Sequence, residues 1–215
     1  MNYLEILKKV DHTQLKQSAT IQDIIDLCTD AKDYSVASVC VPPCYVKFVK
    51  DNFKELKICT VIGFPNGYST TKTKVEETKN SIANGANEID VVINLTDLKN
   101  KKYSNILNEL KKIRRVCKNQ ILKVIVETCL LDDSEKIEIC KIVEKSGADY
   151  IKTSTGFSCG GAKIEDVLLF KKTCPNLKVK ASGGINNFEY AQSLIDAGAN
   201  RLGTSRLINI YKNLR

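Results

Sequence analysis

Several residue types are scarce in this 215-residue sequence, which has no tryptophan, four prolines and a single histidine, His12. One histidine excludes a three-histidine zinc site and the HExxH metal-binding helix. No uninterrupted apolar stretch approaches the ~18 residues that a membrane-spanning helix needs. The sequence therefore predicts a globular protein that binds neither a metal ion nor a membrane, and we expect no cofactor.

Cysteines are plentiful by contrast: the nine of them, an odd number, are spread evenly along the chain. Several lie in apolar stretches, as Cys40 does in Ser38–Val41, which is typical of buried free thiols in a reducing compartment. Cys40 and Cys44 form a C-x3-C pair without a second pair at metal-ligand spacing, which argues against zinc. The first ten residues lack the order of a secretory signal, so we expect a cytoplasmic protein.

Basic residues exceed acidic residues, 33 against 25, and the formal net charge is +8. Such an excess is compatible with a basic RNA-binding module, which would bind RNA in a strongly salt-dependent way. The densest basic stretch, residues 111–115, instead follows a helical pattern whose apolar stripe is Leu107, Leu110 and Ile113. No aromatic residues interleave with it to stack on bases, so we expect solvated helix faces and no nucleic-acid partner.

Short β-branched stretches alternate with amphipathic helical segments along the chain. Strands are predicted at Lys9–Thr13, Ser35–Val41, Lys57–Phe64, Glu88–Asn94, Leu122–Glu127, Tyr150–Ser154, Lys178–Ser182 and Arg201–Thr204. Helical patterns lie between them, for example at Ile21–Ala31 and Asp133–Ser146. This alternation is typical of a parallel sheet covered by helices. Eight uninterrupted units predict an α/β protein with a single-domain (β/α)8 TIM barrel over residues 1–215.

An open doubly wound sheet is the alternative fold for the same alternation. Its first strand would normally lead into a G-x-G-x-x-G turn that binds a nucleotide. Here the first strand instead leads into Asp11-His12-Thr13-Gln14. The barrel is therefore favoured, and its active site is expected at the carboxyl ends of the strands.

Two lysines occupy mid-strand positions that normally hold apolar residues. Lys152 lies between Ile151 and Thr153, and Lys180 lies between Val179 and Ala181. Because side chains alternate along a strand, both lysines are predicted to point into the barrel, from strands ~4.8 Å apart. Burial and a like charge both lower the pKa of a lysine. One lysine of the pair is therefore expected to approach ~7–8 and to form a Schiff base.

Carboxylates accompany the two lysines. A single buried lysine is more often half of a structural ion pair, but two on adjacent strands, with Asp90 also pointing inward, favour catalysis. Asp11 is compatible with orienting a lysine and with relaying a proton. Glu127 is expected to have a positional or structural role.

Glycine-rich turns follow the last strands of the predicted barrel. Gly183 and Gly184 follow the seventh strand, and Gly203–Ser205 closes the eighth. Barrels bind phosphate in the loops after these two strands, through backbone N–H groups. Gly156 and the segment Ser158–Gly161 either add N–H groups or form a flexible turn. A Schiff-base lysine beside a phosphate site predicts a phosphorylated carbonyl substrate, and the second amine with a carboxylate suggests carbon–carbon bond cleavage.

Seven segments carry a resemblance to a known family. They are DHT at 11–13, SVCV at 38–41, VIGFP at 61–65, EIDVVIN at 88–94, LKVIVET at 122–128, IKTSTGF at 151–157 and VKASGGI at 179–185. With them the chain resembles the 2-deoxyribose-5-phosphate aldolases, a family of class I (Schiff-base) aldolases. The resemblance implies reversible cleavage of 2-deoxy-D-ribose 5-phosphate into D-glyceraldehyde 3-phosphate and acetaldehyde. A homodimer is the expected assembly.

The resemblance also implies roles for individual residues. Lys152 would attack the C1 aldehyde, Lys180 would keep Lys152 deprotonated and help to transfer protons, and Asp90 would act through a water as acid and base. The implied phosphate contacts are Gly156, Gly183, Gly184, Gly203 and Ser205, and the implied sugar contacts are Asp11, Thr13 and Thr155.

Arg206 departs from the family pattern, in which a second small hydroxyl often follows the residue equivalent to Ser205. Its guanidinium either adds a phosphate contact or points to solvent. The alternative enzyme is another phosphosugar Schiff-base aldolase or a transaldolase-like barrel, which would differ in the sugar phosphates that it cleaves.

Overall fold

A computed structural model describes residues 2–214, in which the strands close into one parallel barrel in the order of the sequence. The strands are β1 (Val10–Thr13), β2 (Ser38–Val41), β3 (Ile58–Ile62), β4 (Glu88–Val92), β5 (Ile121–Ile125), β6 (Tyr150–Lys152), β7 (Lys178–Ser182) and β8 (Arg201–Thr204). The ring closes where β1 pairs with β8, with His12 opposite Thr204. The predicted (β/α)8 barrel is therefore confirmed.

Helices cover the outside of the barrel. Those of the described residues are α1 (Tyr3–Leu7), α2 (Ile21–Asp33), α3 (Val46–Asn52), α4 (Thr71–Ala83), α5 (Leu95–Lys99), α6 (Tyr103–Val116), α7 (Asp133–Lys145), α8 (Ile164–Thr173), α9 (Phe188–Asp196) and α10 (Leu207–Asn213). Short 3₁₀ segments, Pro43–Tyr45 and Thr128–Leu130, follow β2 and β5. Among these helices none has the length and apolar character needed to cross a membrane.

Several strands are shorter than the sequence predicts, and two residues show why. Ser35 and Glu127 have φ angles of +52° and +55°, which are incompatible with the extended backbone of a strand. The strand predicted from Ser35 therefore begins at Ser38, and the strand predicted to end at Glu127 ends at Ile125. The bounds of β7 and β8 are those predicted.

Because side chains alternate along each strand, one set of residues packs between the strands and the helices, and the other set lies inside the barrel. One set of strand residues, including Val39, Ile89 and Val179, is fully buried against the helices and forms the apolar core. The alternate set points into the barrel, where Asp90 and Lys180 are also fully buried. A barrel interior is normally filled by branched apolar side chains. Charged side chains at the centre of this barrel therefore indicate a functional site.

Candidate active site

Seven charged side chains meet inside the barrel. This central ion cluster consists of Asp11, Glu88, Asp90, Lys123, Lys152, Lys180 and Arg201. Strand register brings them together, because Lys152 pairs with Lys180 across β6 and β7, and Asp90 pairs with Lys123 across β4 and β5. Burial makes each unpaired charge costly, so the pairing within the cluster stabilises the arrangement.

Asp90 is the centre of the cluster. Its Oδ2 accepts hydrogen bonds from Lys152 Nζ at 2.8 Å and from Lys180 Nζ at 2.7 Å. Its Oδ1 accepts from Lys123 Nζ at 2.9 Å and from the thiol of Cys59 at 3.2 Å. Burial alone would raise the pKa of Asp90, but the three ammonium groups hold it well below the usual value. Asp90 is therefore a carboxylate that bridges the two predicted lysines.

Lys180 is held by two carboxylates. Its Nζ lies 2.5 Å from Asp11 Oδ2 and 2.7 Å from Asp90 Oδ2. Burial acts to lower the pKa of Lys180, but Asp11 and Asp90 outweigh it and raise the pKa above the usual value. The lowered pKa predicted for one member of the lysine pair is therefore not that of Lys180, because a carboxylate lies between the two amines. Lys180 is therefore held in its charged form.

Three members of the cluster were not predicted from the sequence. Lys123 lies within hydrogen-bonding distance of Glu88 and Asp90, at 2.5 and 2.9 Å. Arg201 lies 2.5 Å from Asp11 and 3.4 Å from Glu88. Lys123 carried the same signal as Lys152, because it stands between the apolar residues 122 and 124 of a strand. Glu88 and Arg201 begin their strands, where a polar residue is unremarkable, and gave no such signal.

A cavity of about 900 Å³ opens above the cluster at the carboxyl end of the barrel. The predicted residues that line it are Thr13, Lys152, Thr155, Gly156, Gly183, Gly184, Gly203 and Ser205. Lys152 is the cluster's only member among the residues that line the cavity. Asp11, Asp90 and Lys180 lie beneath it and are fully buried. The predicted lysine–aspartate–lysine group is therefore assembled with one amine facing the cavity.

Asp11 differs from its predicted position in the sugar site. Its carboxylate is fully buried and ion-paired with Lys123, Lys180 and Arg201. Burial would raise the pKa of Asp11, but these three cations lower it. Both of its oxygens thus face buried cations, and Asp11 is not among the residues that line the cavity.

The glycine-rich turns lie along one side of the cavity. Gly183 and Gly184 have φ angles of +81° and +74°, and Gly156 has a φ of +83°, a region that residues with a Cβ rarely adopt. A Cβ on Gly161 would come within 2.4 Å of the carbonyl oxygen of Gly183. The loop after β6 and the turn after β7 therefore form one closely packed wall of exposed backbone.

Gly203 lines the cavity and also lies against Lys180 of the central ion cluster. A Cβ at this position would lie 2.8 Å from Ser182 Cβ, closer than real Cβ atoms come, and 3.1 Å from Lys180 Cε, which is a tight contact. The missing side chain leaves room for the Lys180 side chain to cross β8.

Glu127 positions Thr155, in keeping with its predicted role. It has a positive φ, and its Oε1 accepts from the Thr155 backbone N–H at 3.2 Å, while its Oε2 accepts from the Thr155 hydroxyl. The Thr155 hydroxyl in turn accepts from the Phe157 N–H at 3.0 Å. The carboxylate thereby fixes the start of the loop after β6.

Two further residues that line the cavity are His12 and Arg206. Burial lowers the pKa of His12 to about 4, although Asp30, 3.9 Å away, opposes the shift. His12 is therefore neutral near pH 7. Arg206 is exposed and lines the cavity beside Ser205, where its guanidinium can reach an anion.

Potential metal ligands lie among the buried charges. Within residues 2–214, two buried groups place three ligand atoms within 4.8 Å of one another: Cys40, Cys59 and Asp90, and Asp11, Cys59 and Glu88. Burial raises the pKa of the Cys59 thiol well above the usual value, whereas the hydrogen bond from Cys59 and the nearby ammonium groups lower that of Cys40. In both groups the carboxylates already face buried ammonium groups.

The closed barrel, with a lysine-bearing cavity at its carboxyl end, places the chain in the class of (β/α)8-barrel enzymes. A family model described as DeoC/LacD family aldolase matches residues 5–213. The chain belongs to this family, and it is an aldolase.

Individual relatives agree with this assignment. A deoxyribose-phosphate aldolase of Clostridioides difficile (strain 630) is 54% identical over 210 residues, covering 97% of this chain and 96% of the relative. Another, of Clostridium botulinum (strain Alaska E43 / Type E3), is 51% identical over 214 residues, covering 99% and 97%.

Solved structures show the same similarity. The aldolase QR15 superposes with a TM-score of 0.94 at 40% identity, covering 98% of this chain and 96% of that one. A deoxyribose phosphate aldolase from Aeropyrum pernix, described as a unique tetrameric structure, gives a TM-score of 0.91 at 30% identity, covering 100% and 94%.

Proposed function

We propose that this aldolase reversibly cleaves 2-deoxy-D-ribose 5-phosphate into D-glyceraldehyde 3-phosphate and acetaldehyde, through a Schiff base on Lys152. The names of the relatives support the substrate. The observation that carries the chemistry is the position of Lys152, an amine that faces the cavity while its Nζ contacts the buried Asp90.

Charge balance supports Lys152 as the amine that reacts. The central ion cluster has four basic side chains, Lys123, Lys152, Lys180 and Arg201, but only three carboxylates. Lys123 and Lys180 each face at least two carboxylates, which raise their pKa values. The cluster therefore has one positive charge in excess. Loss of one proton, from Lys152 or from the nearby Cys40 thiol, would bring the net charge to zero. Of these two groups only Lys152 lines the cavity and can give its proton to solvent.

The neutral amine of Lys152 then attacks the C1 aldehyde of the open-chain sugar, and loss of water from the carbinolamine gives an iminium ion. Removal of the C3 hydroxyl proton breaks the C2–C3 bond, with the electron pair moving into the iminium ion. Glyceraldehyde 3-phosphate leaves, and an enamine remains on Lys152. Protonation at C2 and hydrolysis release acetaldehyde and regenerate the amine.

Asp90 and Lys180 are suited to move these protons. Asp90 Oδ2 lies 2.8 Å from Lys152 Nζ and 2.7 Å from Lys180 Nζ. A proton from the Lys180 ammonium can therefore reach the reacting nitrogen through one carboxylate. In the predicted mechanism Asp90 completes the relay to the carbinolamine and the C3 hydroxyl through a water.

The wall formed by the loop after β6 and the turn after β7 is the proposed phosphate-binding end of the site. Backbone N–H groups of Gly156, Gly183 and Gly184, with the hydroxyl of Ser205, would hold the phosphate oxygens. Thr13 and Thr155 would contact the sugar. Arg206 lines the same cavity, and its guanidinium would add a charge-assisted contact where relatives often carry a hydroxyl.

For the assembly and the location we propose what the sequence predicts. We propose a homodimer, to be tested by light scattering after size exclusion; a tetramer, as described for the Aeropyrum pernix relative, is the competing result. The nine cysteines, all free thiols, support a reducing, cytoplasmic location.

Reduction with borohydride in the presence of acetaldehyde tests the nucleophile directly. An ethyl group on Lys152 blocks trypsin there, so the modified peptide should span residues 146–163. Modification of Lys180 would instead give residues 179–201 and reverse the two roles. The absence of any adduct would contradict the mechanism.

Lys152→Ala should lower turnover of deoxyribose phosphate by at least about 10⁴-fold, because the nucleophile is removed. Its fold should persist, because Asp90 keeps Lys123 and Lys180 as partners. The exposed Lys141→Ala is the matched control and should retain full activity. Near-normal turnover by Lys152→Ala would refute the assignment, and circular dichroism checks that both variants are folded.

A further inference from the structure

We propose that Cys129 and Cys159 form a reversible disulfide when the protein meets a hydroperoxide, and that this disulfide weakens binding of the sugar phosphate. The effect on binding rests on the proposed function, whereas formation of the disulfide does not.

Two adjacent loops bring the thiols together. Cys129 lies in the 3₁₀ segment after β5, and Cys159 lies in the loop between β6 and α8. The Ser158 hydroxyl lies 3.5 Å from Cys129 Sγ and 4.0 Å from Cys159 Sγ. A Cβ on Gly160 would lie only 2.7 Å from Cys129 Cβ, so the loops are in contact. Side-chain rotation with a small loop adjustment can bring the sulfurs to bonding distance, ~2.05 Å.

The two thiols differ in access. Cys159 is exposed, and Cys129 is partly exposed. Burial raises the pKa of Cys129, and the nearby Glu127 carboxylate adds to the rise. Reaction with peroxide begins at the thiol that solvent reaches, so Cys159 is the first to react and Cys129 resolves the product.

The reaction balances with hydrogen peroxide as the oxidant. The sulfur of Cys159 attacks one peroxide oxygen, the O–O bond breaks, and a sulfenic acid and one water form. The sulfur of Cys129 then attacks the sulfenic sulfur, the S–O bond breaks, and the thiol proton leaves with hydroxide as a second water. Two thiols have lost two electrons and the peroxide has gained them. A dithiol reductant reverses the step.

The disulfide would act on the wall of the cavity. The loop that carries Cys159 also carries Gly156 and Gly161, and Gly161 packs directly against Gly183. Cys129 follows Glu127, which holds Thr155. A bond to Cys129 draws this loop toward β5 and away from the turn after β7. Loss of one hydrogen bond to a charged group corresponds to a rise in KM of roughly tenfold, whereas kcat changes less because Lys152 belongs to the strand beneath.

Peptide mapping tests the bond. The full-length protein is treated with hydrogen peroxide, alkylated and digested with trypsin. Cys129 and Cys159 are the only cysteines of the tryptic peptides 124–136 and 153–163, so the disulfide gives one cross-linked product that dithiothreitol removes. Cys159→Ser should abolish the product. Cys44→Ser, which removes another exposed thiol, is the matched control and should oxidise like the parent.

Kinetics on the same samples test the consequence. After peroxide treatment the parent protein and Cys44→Ser should both show the raised KM, and dithiothreitol should return KM to its original value. Cys159→Ser should have the same KM before and after the treatment. Absence of the cross-linked peptide would overturn the proposal, as would an unchanged KM once it has formed, or an equal change in Cys159→Ser. Because mapping needs no turnover, failure of the substrate assignment would show separately, as inactivity of the untreated protein.

Discussion

Lys74 and Lys180 are both fully buried lysines, but they lie in different layers and have opposite pKa shifts. Lys74 belongs to α4 in the helical layer, where its Nζ lies 2.6 Å from Glu109 and donates to the Val92 carbonyl at 2.8 Å. Burial lowers the pKa of Lys74, and the single carboxylate of Glu109 does not reverse this. Lys180 faces two carboxylates, and its pKa is raised.

The comparison shows that burial alone does not decide the charge of a lysine. For Lys74 and Lys180 the direction of the pKa shift follows the number of carboxylates within ion-pair distance, because each carboxylate adds a favourable interaction that opposes the desolvation penalty. A single pair in the helical layer serves packing. The crowded centre of the barrel, with more basic side chains than carboxylates, is the proposed place of proton transfer.

Removing the shared carboxylate should have the largest effect. Asp90→Asn leaves Lys180 with one carboxylate, as Lys74 has, and breaks the bridge to Lys152. Turnover should fall roughly 10²- to 10⁴-fold, and the free energy of unfolding should fall by about 3–5 kcal/mol because buried cations lose their partner. Steady-state kinetics and denaturant unfolding measure the two effects.

Glu88→Gln is the control for Asp90→Asn, because Glu88 belongs to the cluster but pairs with Lys123 and Arg201. It should destabilise the fold with a much smaller loss of turnover. Equal turnover of the two variants would show that the bridge between the lysines has no special role.

The pair in the helical layer should affect stability alone. Lys74→Met leaves the buried Glu109 carboxylate without its cation, although the Thr71 hydroxyl still donates to it, and should cost about 3 kcal/mol of unfolding free energy, with turnover unchanged. Because the folded-state pKa of Lys74 lies below its reference value of 10.5, the unfolded chain binds more protons between these two values. Stability contributed by Lys74 therefore rises with pH in that window, and the variant should lose this rise.

Replacing both partners checks the cause. Lys74→Met combined with Glu109→Leu should recover much of the lost stability, because no charge is then left unpaired. Lower turnover in the single variant, with an intact fold, would break the division between a structural and a catalytic lysine.

His12 extends the comparison to a third buried base. Its folded-state pKa of about 4 lies below the reference value of 6.5, so the unfolded chain binds more protons between these values. Stability is then lost as pH falls from 6.5 to about 4, by at most about 3 kcal/mol. As the chain's single histidine, His12 gives one imidazole titration by NMR. A midpoint near 6.5 in the folded protein would contradict the interpretation.

Crowding Lys180 should have the smallest effect. In Gly203→Ala the new Cβ meets Ser182 and Lys180 Cε, and such overpacking costs typically about 1–3 kcal/mol. Turnover should fall because the ammonium is displaced, with less change in KM. Gly67→Ala, whose Cβ would instead meet the Ile93 carbonyl, controls for backbone strain, and a fall in turnover as large in this variant would show that strain alone accounts for the loss.

Local patterns were sufficient to predict the fold and part of the site. The alternation of apolar strands and amphipathic helices predicted the barrel, and period-two alternation predicted the inward direction of Lys152, Asp90 and Lys180. The strand ends at Ser35 and Glu127 were wrong because a positive φ depends on packing and hydrogen bonds from other segments. Lys123 carried a usable signal, since it lies in a buried strand between apolar neighbours.

By itself the sequence determined which side chains enter the barrel, because the two-residue repeat of a strand is a local property. Only the tertiary structure decided which charges meet. Asp11 and Arg201 are separated by 190 positions and pair across the closure of the barrel, and Glu88 reaches Lys123 from the neighbouring strand. The direction of each pKa shift depends on distances and burial in three dimensions. For that reason the pKa of Lys180 is raised and the pKa of Lys74 is lowered. The tertiary structure likewise places Asp11 below the cavity instead of in it.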